Sequence, residues 1–243
     1  GLLRLIVLSR TFRQESRFSA DPGSDPDNRL LSRGPSYRMS AEMIRDQALT
    51  VSGLLRRQIG GPSVKPYQPS GLWEEVSYNG DTTYVPDTGD GLWRRSLYTY
   101  LKRQAPPPSF LAFDGVTREK CTIQRARTNT PLQALILLND PTYVEASRAL
   151  AARTLQSETD DSARLRRLFR RVLSRQAVEK ELLLMQGLLQ RQRQRFAATP
   201  DAASTLLAVG SAATDHNLDL GELAAWTVVA QTVLNLDEAI NQR

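Results

Sequence analysis

The sequence predicts a mainly α protein: an irregular helical first half with a proline- and glycine-rich loop layer, followed by a helical bundle. Three observations predict it. From Thr130 onward apolar residues recur at helical spacing almost without a break. Ser40, Thr130 and Asp140 stand immediately before such patterns, where a side-chain oxygen can satisfy the free N–H groups of a first helical turn. Prolines and glycines concentrate in the first half, above all in residues 62 to 91. We therefore expect one domain over residues 1–243, with a loop-rich helical half at 1–129 and a bundle half at 130–243.

The opening Gly1-Leu2-Leu3-Arg4-Leu5-Ile6-Val7-Leu8 has no initiator methionine, basic leader or small-residue cleavage site, and reads as a truncated core helix rather than a signal peptide. Ser40 starts a helix with Ile44, Ala48, Val51 and Leu55 on its buried stripe, and Gly60-Gly61-Pro62 ends it. Residues 62 to 91 keep Trp73, Tyr78 and Tyr84 among their prolines, which predicts an ordered loop or a small hairpin layer rather than disorder. A helix from Leu92 to about Gln104 is expected to bury Trp93, Leu97, Tyr100 and Leu101, with Pro106-Pro107-Pro108 stopping it. Residues 119 to 124 suggest a short strand.

In the second half, Thr130-Pro131-Leu132-Gln133 predicts a capping box with proline at the first helical position. Asn139-Asp140-Pro141 ends that helix and caps the next, whose inner stripe is Tyr143, Ser147, Leu150 and Thr154, with Val144, Ala151 and Leu155 beside it. A third helix begins near Asp161 and sets Leu165, Leu168, Phe169, Val172 and Leu173 inward, leaving Arg166, Arg167, Arg170 and Arg171 toward water. A fourth runs from about Ala177 to Phe196 and a last from Glu222 to Ala239, joined by a less patterned stretch from Pro200 to Asn217.

Composition narrows the function classes. A chain of 243 residues, 40% hydrophobic, can bury a core without staples. Its single cysteine, Cys121, excludes an internal disulfide framework and a Cys/His zinc site, and reads as a small buried side chain. The one histidine, His216, reads as a surface residue and leaves little from which to build a histidine-based catalytic device. The net charge of +6 invites a nucleic-acid reading, yet 28 of the 32 basic residues are arginine and they are dispersed among 26 acidic ones. Solvated faces and ion pairs are the expectation, with no nucleic-acid partner. No apolar run approaches the roughly 18 to 20 residues that span a bilayer, so no membrane insertion is expected.

Two polar constellations carry whatever chemistry there is. The first holds Asp27, Asn28, Arg29, Arg33, Arg38, Glu42, Arg45 and Asp46; on the helix from Ser40, Glu42 and Asp46 share a face with Arg45 beside them. A carboxylate pair could act as general acid and base on a glycosidic bond. Neighbouring arginines lower carboxylate pKa values and favour ion pairing, which suits a structural network instead. The second constellation, Asp114, Glu119, Arg125, Arg127 and Asn129, precedes the helix at Thr130 and could hold a sulfate or carboxylate of an anionic glycan, or satisfy loop carbonyls. Trp73, Tyr78, Tyr84 and Trp93 could stack on sugars, although loop aromatics more often cover a core. No residue is assigned a catalytic or metal-binding role.

Three stretches together resemble one family: Asp27-Asn28-Arg29-Leu30-Leu31 continuing to Arg38-Met39-Ser40-Ala41-Glu42-Met43-Ile44-Arg45-Asp46; Gly60-Gly61-Pro62-Ser63-Val64-Lys65-Pro66-Tyr67-Gln68-Pro69; and Arg95-Ser96-Leu97-Tyr98 through Pro106-Pro107-Pro108-Ser109 and Phe113-Asp114 to Arg125-Ala126-Arg127-Thr128-Asn129-Thr130-Pro131-Leu132-Gln133. They resemble the planctomycete-specific domain of unknown function found at the C-terminus of large proteins with a cytochrome-c-like domain. Leu234-Asn235-Leu236-Asp237-Glu238 fits the end of the same family, while Gln14-Glu15-Ser16 and Gly115-Val116-Thr117 depart from its usual pattern. The resemblance implies a chain that begins partway into the family's domain, an exported periplasmic or cell-surface location, and haem only in a neighbouring domain. This chain lacks the Cys-x-x-Cys-His attachment sequence, so no cofactor is expected in it. The expected partners are other domains of the same polypeptide and, through the second constellation, anionic polysaccharide. The function expected is a non-catalytic helical structural or interaction module, with a polysaccharide-binding or glycoside-hydrolase-like domain as the alternative.

Overall fold

A computed structural model describes residues 1–16, 25–215 and 217–242. His216 lies outside the described residues. In chain order the elements are α1 (Leu2–Leu8), β1 (Tyr37–Arg38), α2 (Ala41–Ser52), α3 (Leu72–Glu75), α4 (Pro108–Ala112), α5 (Pro131–Asn139), α6 (Pro141–Leu155), α7 (Asp161–Leu173), α8 (Glu179–Ala198), α9 (Pro200–Leu207), α10 (Leu220–Leu234), α11 (Asp237–Ile240) and β2 (Asn241–Gln242). The described residues are mainly α. The two strands form one antiparallel ribbon, Tyr37 opposite Gln242 and Arg38 opposite Asn241.

Two helices sit at the centre. In α6, eleven of fifteen residues are buried, and in α10 ten of fifteen, so each is enclosed on nearly every side rather than amphipathic. Their alanines, among them Ala146, Ala151, Ala224, Ala225 and Ala230, are almost wholly buried and let neighbouring elements pack close. Asp140 caps α6 by accepting from the Thr142 N–H at 2.8 Å, and Asp219 caps α10 by accepting from Glu222 at the same distance. Around α10 the amphipathic α7 turns Leu165, Leu168, Phe169 and Val172 inward, each contributing roughly 1.5–3 kcal/mol through burial. Leu182, Leu189 and Phe196 of α8 and Leu207 of α9 complete that cluster. A second cluster joins α2, α4, α5 and α6 through Ile44, Ala48, Phe110, Phe113, Leu137 and Tyr143.

Several elements differ from expectation. Helix α2 stops at Gly53, which takes the left-handed conformation (φ 84°), well before Gly60-Gly61; Leu49 is then the fully buried leucine, and Val51 and Leu55 are half-buried. No α-helix forms over 92–104. The chain there makes short 3-10 turns at Gly89–Trp93 and Ser96–Tyr98 and bridges Val64 to Thr99, because the carbonyls of Leu92 and Arg94 are taken by the Arg45 guanidinium rather than by a helical ladder. Leu97 is consequently 75% exposed. Pro108 opens α4 instead of merely stopping a helix. Residues 119–124 are exposed and form no strand. The capping box at Thr130 does not form, since the Gln133 amide turns away to the carbonyls of Ala112 (2.9 Å) and Thr128 (3.0 Å). The stretch from Pro200 contains α9, again opened by proline, and the last helix is broken at Asn235-Leu236 into α10 and α11. Helix α1 forms but buries no residue, so it is no core helix here.

The loop layer is ordered without a hairpin. Trp73 and Tyr84 are buried edge-to-face, 5.0 Å between ring centroids, whereas Tyr78 is fully exposed. Trp93 is buried against Leu49 and Leu92. Cys121 is exposed, contrary to the buried position expected, because the whole 119–130 segment runs over the surface.

Candidate functional site

The two constellations meet at the first turns of α2. Ser40 caps the helix, its hydroxyl accepting from Met43 at 3.4 Å. Two residues on, the Glu42 carboxylate accepts from Arg125 Nη1 with both oxygens, at 2.7 and 3.0 Å. Burial alone would push the Glu42 carboxyl up, but the Arg125 hydrogen bonds and charge, with its own backbone N–H and Ser40, leave it below the ordinary value of 4.5. Asp46, one turn further, accepts from the Ser96 N–H at 2.7 Å and lies 3.5 Å from Arg95 Nε. Arg45 takes another direction. Its buried guanidinium donates to the carbonyls of Leu92 (2.6 Å) and Arg94 (2.9 Å) and to the Ser96 hydroxyl (3.1 Å), securing the 89–98 loop, while it stays 4.0 Å from the Asp46 carboxylate.

Beside α2, the buried Arg38 forms an ion pair with Asp114, donates to the Phe113 carbonyl at 3.3 Å and lies over the Phe113 ring. Asp114 sits at φ 56° and also accepts from the Thr128 N–H (2.8 Å) and hydroxyl (2.9 Å). One carboxylate thus closes the 114–128 loop onto β1. Arg127 extends over the Tyr37 ring, 4.6 Å from its centroid. Asn28, at φ 52°, folds its own loop by exchanging hydrogen bonds with the Arg33 backbone at 2.9 and 3.1 Å. Asp27, Glu119 and Asn129 are exposed and do not join this network. A cleft of about 740 Å3 runs along the exposed side of α2, lined by Glu42, Asp46, Arg95, Arg118 and Arg125 together with Phe110.

The strongest polar centre lies elsewhere. Glu145 of α6 is fully buried and accepts from Trp93 Nε1 (2.8 Å), the Tyr67 hydroxyl (3.1 Å) and the N–H groups of Ser211 and Ala212 (both 2.6 Å). One helical turn on, Arg148 donates to the Leu207 carbonyl, the Ala212 carbonyl (2.6 Å) and the Thr214 hydroxyl (2.7 Å). Between these partners Gly210 has φ 86°, and a Cβ there would stand 2.6 Å from Glu145 Oε1. Arg94 similarly gathers the carbonyls of Gly60 (2.5 Å) and Pro62 (3.0 Å) while its guanidinium stacks 4.0 Å from the Tyr98 ring centroid. Sequence reading missed Glu145, Arg148 and Arg94. The available signal was the interleaving of Glu145 and Arg148 with Val144, Ala146, Leu150 and Ala151, where a buried charge needs a partner.

Chemically, Glu42 is paired with Arg125 and held ionised, and Asp46 accepts from the Ser96 N–H. A general acid at neutral pH needs the reverse, a raised pKa. Among the described residues no group of three or more His, Cys, Asp or Glu side chains could hold a metal ion, and no helix is long and apolar enough to cross a membrane.

Residues 1–189 match PSD1, a protein family of unknown function (DUF1553). The chain belongs to this family. The three stretches quoted above all fall within the matched residues, and the structure ties them together: the Gly60 N–H donates to the Tyr98 hydroxyl, Asp46 binds Ser96, Arg125 binds Glu42, and Arg38 binds Asp114. No curated protein and no solved structure matches the PSD1 chain.

Proposed function

We propose that this PSD1 chain is a non-catalytic helical structural and interaction module, folding as one domain over residues 1–243, within a large exported protein that carries a cytochrome-c-like domain. The observation that carries this reading is where four arginines point. Arg38 turns to Asp114, Arg45 to backbone carbonyls, Arg125 to Glu42 and Arg127 to the Tyr37 ring, all within the chain itself. Guanidinium groups so engaged fix loops onto helices; they do not wait for a reactant. The surface such a scaffold offers to neighbouring domains of the parent protein is the exposed side of α2 and the 114–130 loop.

A second reading, an anionic-polysaccharide-binding or glycoside-hydrolase-like domain, draws support from the 740 Å3 cleft, where Arg95 and Arg118 stand beside Glu42 and Asp46. The pairing of Glu42 with Arg125 weighs against the hydrolytic form. The deciding experiment compares the full-length parent with a version lacking these 243 residues, in glycan-array binding and in polysaccharide turnover. Equal behaviour of the two supports the scaffold. Turnover that disappears with the region, and that Glu42→Gln also abolishes, overturns it.

A further inference from the structure

Several arginines in this molecule have carboxylate partners within the chain, whereas two on α7 line a hollow without one among the described residues. Arg175 grips Glu181 and Glu238, and Arg193 grips Asp161 and Glu222. By contrast a hollow of about 470 Å3 on the outer flank of α7 is lined by Arg166, Arg167, Arg170 and Arg171 together with Glu158 and Gln176. Arg166 reaches Glu179 and Arg167 reaches Glu158, at 3.0 and 2.8 Å. Neither Arg170 nor Arg171 has a carboxylate partner among the described residues. Arg171 Nη1 is out of contact with solvent and makes no hydrogen bond. Burial first, then the charges of Arg153 and Arg167, pull the Arg171 pKa below its ordinary value, so its positive charge is poorly accommodated.

Helical spacing explains the convergence. Positions 166, 167, 170 and 171 are i, i+1, i+4 and i+5, which sets two pairs of guanidinium groups side by side opposite the buried Leu165-Leu168-Phe169 stripe. Like charges gathered at a hollow, one with a buried and unpaired donor, leave the free protein with an electrostatic cost that a bound anion would remove. Planar forked donors match the oxygens of a tetrahedral oxyanion.

We propose that this α7 hollow is a binding site for a sulfate or phosphate group, with Arg170 and Arg171 as its principal donors and Gln176 as a neutral one. It is separate from the α2 cleft and independent of the scaffold reading. Sulfate esters and phosphate esters present the same oxygens, so the titration uses both inorganic sulfate and inorganic phosphate, by calorimetry on the whole chain at constant ionic strength set with sodium chloride. Expected is saturable binding of at least one anion, weakened roughly tenfold in Arg171→Gln and in Arg170→Gln, as loss of one charge-assisted contact implies. Arg57→Gln, a change at an exposed arginine away from α7, leaves it unaltered. Tighter sulfate binding names sulfate esters as the source, and tighter phosphate binding names phosphate esters. Thermal melting adds a second readout: without sulfate or phosphate, Arg171→Gln melts no lower than the parent chain, and it loses the parent's rise in Tm when the anion is added. Absence of saturable binding to both anions, or equal binding by all three variants, overturns the proposal.

Discussion

At the scale of single residues, the most consequential side chain is Glu145. It is acceptor to four donors from three separate segments, so removing it orphans several groups at once. Each buried donor left unpaired costs about 1–3 kcal/mol, and Glu145→Ala should lower unfolding stability by roughly 3 kcal/mol or more in urea titration. An unchanged midpoint would mean that the donors find other acceptors. Asp140 gives the opposite contrast. Burial pushes its carboxyl up, only partly offset by Thr142, Arg45 and Ser109. A raised folded pKa means that stability falls as pH rises through the interval above 3.8, because the charged form is disfavoured in the fold. Asparagine keeps the cap without the charge. Asp140→Asn should therefore be neutral or stabilising at pH 7, whereas Asp140→Ala, which deletes the cap, should cost about 1 kcal/mol. A substantial loss in Asp140→Asn would show that the charge itself is needed.

At the scale of elements, two arginines hold helix ends together. Arg175 forks between Glu181 at the start of α8 and Glu238 in α11, and Arg193 of α8 forks between Asp161 of α7 and Glu222 of α10, with all these contacts between 2.5 and 3.0 Å. Hydrogen bonds from Arg193 and Arg175 hold Asp161 and Glu181 below their ordinary values of 3.8 and 4.5. Depressed folded values stabilise the protein fully above those ordinary values, and the contribution disappears as pH falls through the lower, folded ones. The expected pH profile is flat at neutrality and declines below about pH 5. Arg193→Lys, which loses the planar fork, should cost about 1 kcal/mol at pH 7 after allowing for solvent screening, and flatten that acid-side decline. A mutant whose acid limb matches the parent's would detach Arg193 from it. Legibility in the sequence follows the same division. The caps at Ser40 and Asp140 and the inward stripe of α7 were readable because they depend on neighbours within one or two turns. The helix expected over 92–104 was not, since its carbonyls are captured by Arg45 from about fifty residues away, and the Thr130 box failed because Gln133 serves a distant carbonyl.

For the whole molecule, the matched family region and the packed core do not end together. Residues 1–189 stop within α8, yet α10 lies beyond them and is enclosed against α6 with Trp226, Val229 and Val233 wholly buried. A chain shortened to residues 1–198 would uncover that face of α6 and should show no cooperative thermal transition. A sharp melt would instead make α10 an accessory layer. The candidate site was legible in part. Sequence placed Glu42, Asp114, Arg38 and Arg125 in two separate constellations; chain folding makes them one network through contacts spanning more than seventy positions, which periodicity cannot register. Asp27, Glu119 and Asn129 stayed outside it, because they stand on surface loops whose shape is set elsewhere.

The missing side chain at Gly210 has a dynamic consequence. Because nothing projects from that position, the two following amide protons reach Glu145 and are shielded although they belong to an irregular segment. Deuterium labelling followed by mass spectrometry should then find Ser211 and Ala212 exchanging as slowly as the central helices, and Gly210→Ala should release both to the fast regime while α6 stays protected.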